Sequence, residues 1–229
     1  MTVAALLWAA LTSIFAGLDR TALCQVMLAR PIVVAPLLGW LLGMPLVGLQ
    51  AGALIELLWV GRLPVGAAVP PDDTQLAVAS TLLAVTSPLG LLPAGFEAVI
   101  CVILVLPFGR AGEAFDRLAR RANNRLPQLA GEAIEQEQYA RVKWLHLQGI
   151  AAFALASLAT CIVLVTGGWL LLHGLVPHLR TVLAAAGPWL WPVLPVLGSA
   201  VVLAGGGVRH AWLWFGGTFL LVYVLRLVF

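Results

Sequence analysis

The sequence is poor in charge. Only 10% of its 229 residues are Asp, Glu, Lys or Arg, and 62% are hydrophobic. Soluble domains carry roughly 25% charged residues. A soluble fold of this length could not cover so much apolar surface, because its own exterior needs polar atoms. A lipid bilayer removes that need. The shortage is uneven as well. No Asp, Glu, Lys or Arg occurs in Met1–Leu18, Pro31–Ile55, Thr74–Phe96, Trp144–His173 or Thr181–Val208. A spanning helix needs about 20 mostly apolar residues, so several of these runs qualify and Met1–Leu18 is borderline. That first run lacks a basic flank and a small-residue cleavage site, so it is expected to be a retained helix rather than a signal peptide.

Other absences narrow the function. Cys24, Cys101 and Cys161 are the whole cysteine complement. Their spacing makes neither a zinc site nor a CxxC motif, and they read as small buried hydrophobes. The net charge of +3 is not gathered into a basic stripe with interleaved aromatics, so no nucleic-acid partner is expected. No Ser/Lys, paired-Asp or His-rich constellation lies in the apolar runs, so neither intramembrane catalysis nor a metal or cofactor is expected. His146, His173, His178 and His210 sit in no Gly-rich or helix-N-terminal phosphate cradle.

The charge that is present concentrates in Arg110–Lys143, which holds Arg110, Arg117, Arg120, Arg121, Arg125, Arg141 and Lys143. The positive-inside rule places this segment in the cytoplasm. Phe115, Leu118, Ala119 and Ala122 recur at helical spacing between the arginines and predict an amphipathic surface helix. Asn123-Asn124 and Pro127 are expected to interrupt it, and a second short helix is expected over Gly131–Arg141. The alternative is a solvated loop. The chain thus divides into an N-terminal membrane part (1–109), a polar segment (110–143) and a C-terminal membrane part (144–229). In the last, spans are expected near 145–172, 182–204 and 208–228. Pro177, Pro188, Pro192 and Pro195 predict a turn and a late or kinked helix start between the first two. Trp189, Trp191, Trp212 and Trp214 are expected at span ends, where amphipathic rings anchor at headgroup level. The fold class is therefore all-α: a polytopic membrane protein of roughly six to eight membrane segments, with one or more re-entrant hairpins.

The unusual polar residues cluster in 30–75. Glu56 lies among apolar residues, and a charge near the bilayer centre costs at least about 2.5–3.5 kcal/mol. Such a residue normally faces a cavity, a partner or a substrate. The alternative is an interfacial acid paired with Arg62. Leu63–Pro71 is apolar but too short to span, and Gly and Pro break it repeatedly. Backbone of that kind must be buried in protein or line a water-filled cavity, so a re-entrant hairpin ending at Pro71-Asp72 is expected, with an external loop as the alternative. Broken helices are where transporters build binding sites. Carboxylates accept hydrogen bonds from vicinal hydroxyls. Glu56 and Asp72 are thus candidates for a sugar clamp, to which Gln50 and Gln75 could add amide donors and acceptors.

Arg30-Pro31, the glycines Gly39, Gly43, Gly48 and Gly52 leading to Glu56, then Gly61, Gly66-Ala67-Ala68-Val69 and Pro71-Asp72, resemble the signature region of mannose-type phosphotransferase IIC subunits. That family includes mannose, fructose, sorbose and N-acetylgalactosamine transporters. Arg62, Pro64, Pro70 and Met44-Pro45 depart from its usual pattern and mark a divergent member. The resemblance implies a multi-pass subunit of the bacterial inner membrane that carries a hexose-like sugar and is not itself an enzyme. It implies a IID membrane partner, cytoplasmic IIA and IIB phosphocarriers, and hetero- and homo-oligomers. It places the substrate-binding glutamate at Glu56 and the proline-aspartate at Asp72, with Gly61, Gly66, Ala67, Ala68 and Pro71 in the re-entrant loop. Two other readings compete: a phosphotransfer-independent permease using Glu56 as an ion site, and a non-transporting scaffold.

Overall fold

A computed structural model describes residues 1–59, 71–87, 96–205 and 209–228. These residues form helices and no strand. The order is α1 (Val3–Thr21), α2 (Pro31–Leu41), α3 (Pro45–Trp59), α4 (Asp73–Thr86), α5 (Glu97–Val105), α6 (Arg110–Asn123), α7 (Leu126–Glu135), α8 (Tyr139–Gly174), α9 (Val176–Gly205) and α10 (Ala211–Val228). Among the described residues, α1 and α8 are each long and apolar enough to cross a membrane. The α5 helix and the α6–α7 segment would make a third crossing if that pair, bent by 49°, were one span.

The centre of the bundle is α4. Every residue from Thr74 to Ala84 is buried, because α1, α2, α3, α5 and α8 all pack against this helix. A helix covered by protein on all sides needs no amphipathic stripe, which is why Thr74, Gln75, Ser80 and Thr81 can lie on it beside Leu76, Val78 and Leu82. Its buried hydroxyls and amide face helices rather than lipid.

The glycine-bearing run folds as the antiparallel hairpin α2–α3. Gly43, with φ +82°, sits in the turn. A Cβ on Gly48 would lie 2.2 Å from the Ala35 carbonyl oxygen, and one on Gly52 would lie 2.3 Å from that of Pro31. Both contacts are with backbone, so no rotamer change relieves them. The two helices approach this closely only because those positions are glycine. The hairpin brings Arg30, the residue before α2, alongside the last turns of α3, where Glu56 sits.

The polar segment is helical, with shifted boundaries. Its first helix, α6, packs on α8 and buries Gly112 and Ala119, while Leu118 and Ala122 are exposed rather than on the covered face. The second helix is Leu126–Glu135, not Gly131–Arg141. Pro127 lies in its first turn, where the missing N–H costs nothing, so proline starts this helix instead of interrupting the segment. Glu137, with φ 56°, ends it, and the Gln138 N–H bonds to the Ala133 carbonyl at 2.8 Å. The first C-terminal span begins at Tyr139, earlier than expected.

The late start expected for the next span does not occur. α9 begins at Val176 directly after α8, with Pro177 tolerated in the first turn. Its run encloses Trp189 and Trp191 near the middle rather than at an end. Trp212 and Trp214 do lie at the start of α10 and are exposed.

The α2–α3 contact makes a direct prediction. Gly48→Ala should destabilise the detergent-solubilised protein by ~1–3 kcal/mol through overpacking. Gly174→Ala, where nothing lies within 4 Å, should be near neutral. Equal melting temperatures for the two variants would mean that α2 and α3 do not pack this closely.

Candidate functional site

Asp19, Arg20, Arg30, Glu56, Asp72 and Asp73 are drawn together at the ends of α1, α2, α3 and α4. Each end leaves unsatisfied backbone groups and borders an apolar run, so polar side chains there must find partners. Arg62, the partner considered from the sequence, lies outside the described residues; Glu56 pairs with Arg30. Its other oxygen accepts the Ile32 N–H at 3.3 Å. The carboxylate thus meets both the guanidinium and the first turn of α2, where the helix dipole favours an anion. The Glu56 side chain is 15% exposed and that of Arg30 is 45% exposed, so the pair opens to one side. Hydrogen bonding to Glu56 raises the Arg30 pKa above its ordinary value.

Asp72 caps α4 and accepts the Gln75 N–H at 3.1 Å. The same oxygen accepts from Arg20 Nη1 at 2.6 Å. Arg20 also reaches Asp73 at 3.2 Å, and its other nitrogen donates to the Pro71 carbonyl at 3.4 Å. One cation therefore holds two neighbouring carboxylates and the residue at which the expected hairpin ends.

A short connector joins these two groups. Between α1 and α2, Cys24, Gln25 and Met27 have φ of 58°, 54° and 67°, a left-handed conformation that costs non-glycine residues energy. Asp19, which is buried, holds the connector by accepting the Val26 and Ala29 N–H groups at 2.9 and 3.1 Å. The Ala29 carbonyl accepts from Thr74 Oγ1 at 2.7 Å. Ala29 thus links Asp19 to α4 and immediately precedes Arg30. The result is a continuous polar cluster: Glu56, Arg30, Asp19, Thr74, Asp73, Asp72 and Arg20.

The expected residues fall into three sets. Glu56 and Asp72 belong to this cluster, and Pro71 contributes its carbonyl. Gln75 lies further inside, fully buried, with Nε2 donating to the Ser13 carbonyl at 3.0 Å and Oε1 meeting no hydrogen-bond partner among the described residues. Gln50 is half-buried on α3, six residues before Glu56 and so on a different helical face. Gly61, Gly66, Ala67 and Ala68 lie outside the described residues, as does all but the last residue of the expected hairpin over Leu63–Pro71. Sequence reasoning missed Asp19, Arg20 and Thr74. A signal existed for the first two, since Asp19-Arg20 ends the uncharged run Met1–Leu18. Among the described residues no group of three His, Cys, Asp or Glu is placed to hold a metal ion.

The dual role of Asp72 separates two substitutions. Asp72→Ala removes both cap and ion pair and should lower stability by ~1–2 kcal/mol. Asp72→Asn keeps the cap and should cost less. Arg20→Gln, which leaves Asp72 and Asp73 side by side without their cation, should cost more than Asp72→Asn. Equal losses for the alanine and asparagine variants in thermal unfolding would rule out the capping role.

Comparisons with known proteins agree with this architecture. A family profile described as the PTS system sorbose-specific IIC component matches residues 2–229. The sorbose-specific EIIC component of Lacticaseibacillus casei is 28% identical over 137 residues, 59% of this chain and 47% of that protein. The mannose-specific EIIC component of Escherichia coli K12 is 25% identical over 122 residues, 53% of this chain and 43% of that protein. The chain therefore spans about half the length of the curated relatives it matches. Among solved structures, the mannose transporter ManYZ in complex with microcin E492 contains a chain of similar fold. Its TM-score is 0.59 at 19% identity, over 97% of this chain and 87% of that one. A chain described as a membrane protein matches with a TM-score of 0.69 at 20% identity, over 99% of this chain and 87% of that one.

Proposed function

The chain belongs to the sorbose-specific IIC component family of the phosphotransferase system, and on that footing we propose that it is the membrane-translocating subunit of a phosphoenolpyruvate-dependent sugar phosphotransferase. In this reading it conducts a hexose-like sugar across the bacterial inner membrane, with a IID subunit as membrane partner. Cytoplasmic IIA and IIB proteins bring the phosphoryl group, and IIB phosphorylates the sugar as it emerges. The chain itself then performs translocation and no bond chemistry. The proposal includes the division at 110–143 with that segment cytoplasmic, six to eight membrane segments, and a re-entrant hairpin through Gly61, Gly66, Ala67 and Ala68.

The observation that carries this reading is the half-open Glu56–Arg30 pair, joined through Ala29 to the Asp72–Arg20 pair at the ends of apolar helices. Carboxylates supply acceptors and guanidinium groups supply donors, and a sugar hydroxyl is both. A sugar hydroxyl can replace a hydrogen bond that it displaces, so a polyol can exchange for part of each pair without leaving a charge unmet. We assign Glu56 and Asp72 to substrate binding, with Arg30 and Arg20 orienting them. Gln75 supports α4 from within, and Gln50 is the least supported contributor.

The reading is tested in cells lacking endogenous mannose-type transporters, supplied with this chain and with IID, IIA and IIB proteins. Uptake of radiolabelled mannose, fructose, sorbose and N-acetylgalactosamine is measured. At least one sugar should appear inside as its phosphate, only when IID and phosphoenolpyruvate are present. Glu56→Gln should reduce that uptake at least tenfold at unchanged membrane abundance. Accumulation of free sugar by this chain alone would favour an independent permease. Unchanged uptake in the variant would remove Glu56 from the site.

A further inference from the structure

The Asp72–Arg20 pair is not enclosed by α1 and α4 alone, because α6 lies against it. A Cβ on Gly112 would collide with the Asp72 Cβ. It would also lie 3.3 Å from Asp72 Oδ2, the oxygen that Arg20 and the Gln75 N–H leave unused. At the other end of α6, Asn123 lines one groove with Ala22, which caps α1 just beyond Arg20. Helix α6 therefore runs from the acid of the pair to the helix end that carries its cation.

Asp116 sits on the face of α6 that makes these contacts. With about 100° of rotation per residue, Gly112, Asp116, Ala119 and Asn123 fall within an arc of about 60°. Gly112 and Ala119 are buried, and the Asp116 side chain is 19% exposed. Arg20 feels the charge of Asp116 after those of Asp72 and Asp73. No ion pair joins Arg20 to Asp116 here, since Arg20 Nη1 is engaged by the other two acids. Asp116 Oδ2 accepts from Arg120 Nε at 2.6 Å. The Arg120 guanidinium lies over the Phe153 ring of α8, 5.8 Å from its centroid. That leaves Asp116 Oδ1 without a hydrogen bond among the described residues.

The chemistry of exchange gives this third acid a use. The Arg20 side chain is only 25% exposed. A guanidinium so placed that loses one carboxylate needs another acceptor, because water reaches it poorly. Its five donors can be shared among several oxygens. Asp73 remains on one side, and the free oxygen of Asp116 waits on the facing helix.

We infer that Asp116 is a positioning residue for the Asp72 subsite: it takes up Arg20 as a sugar hydroxyl engages Asp72, and so couples α6 to occupancy of the site. The inference rests on the substrate-binding role of Asp72 given above. Asp116 itself touches no sugar. In the empty site it is held by Arg120, and in the occupied site Arg20 bridges Asp73 and Asp116.

One test needs no sugar. Asp72→Asn keeps the α4 cap but loses the charge, and so stands in for an occupied Asp72. In thermal unfolding of the purified chain, Asp116→Asn should lower the melting temperature about twofold more in the Asp72→Asn background than in the native chain. Adding Arg20→Gln should abolish that excess. The second test is the uptake assay, with the radiolabelled sugar that the native chain accumulates. Asp116→Asn should raise KM about threefold at unchanged maximal rate and membrane abundance. Asp116→Glu should recover most of the loss. Arg120→Gln, which frees Asp116, should not raise KM, whereas a purely structural role in α6 would move both variants alike. Additive unfolding shifts beside normal uptake would overturn the exchange alone, as would an equal KM rise for Asp116→Asn and Arg120→Gln. A native chain that accumulates none of the four sugars would overturn the transport reading and the positioning role with it, while the unfolding cycle would still show whether Arg20 changes partner.

Discussion

A carboxylate that ends up beside hydrocarbon must be met by donors, and that constraint organises the N-terminal half of this molecule. Glu56 stands in an apolar helix, and the α2–α3 hairpin delivers to it a guanidinium and a backbone N–H. The hairpin is tight because Gly48 and Gly52 admit the opposing backbone. The same requirement recurs at Asp72 and Asp73, met by Arg20, and at Asp19, met by two connector N–H groups. Each acid is met by donors from outside its own helix, so the acids also fix how α1, α2, α3 and α4 meet.

This arrangement accounts for a connector that is otherwise expensive. Left-handed backbone at Cys24, Gln25 and Met27 persists only where surrounding contacts hold it. Asp19 on one side and Thr74 on the other provide them through Ala29. A cluster made of exchangeable hydrogen bonds, set on an otherwise closely packed bundle, has the chemistry expected of a polyol site. Under the proposed function, that site would receive the sugar.

Much of the architecture was legible in the sequence because lipid imposes simple rules. Uncharged runs marked α1, α8 and α9, and the arginine-rich stretch marked the one interruption. The isolated acid Glu56 and the Pro71-Asp72 pair pointed to the polar cluster. What could not be read were pairings that depend on three dimensions. Arg30 lies 26 residues before Glu56, yet reaches it because the hairpin is antiparallel. Gln75 resembled a site residue but turns into the core towards Ser13, since α4 is covered on every side. The proline pattern misled at Pro127, and near Pro177 it gave the turn, at Leu175, but not the late helix start. Proline in a first helical turn and proline as a breaker look alike until the backbone is seen.

The central claim is that the Glu56 and Asp72 carboxylates meet the cargo, and a sugar-bound structure of this chain with the proposed IID subunit tests it most directly. The account predicts sugar hydroxyls at hydrogen-bond distance, about 2.6–3.2 Å, from at least one of those carboxylates, with its arginine partner displaced or shared. A well-ordered sugar bound elsewhere, with both ion pairs intact and shielded from it, would contradict the account.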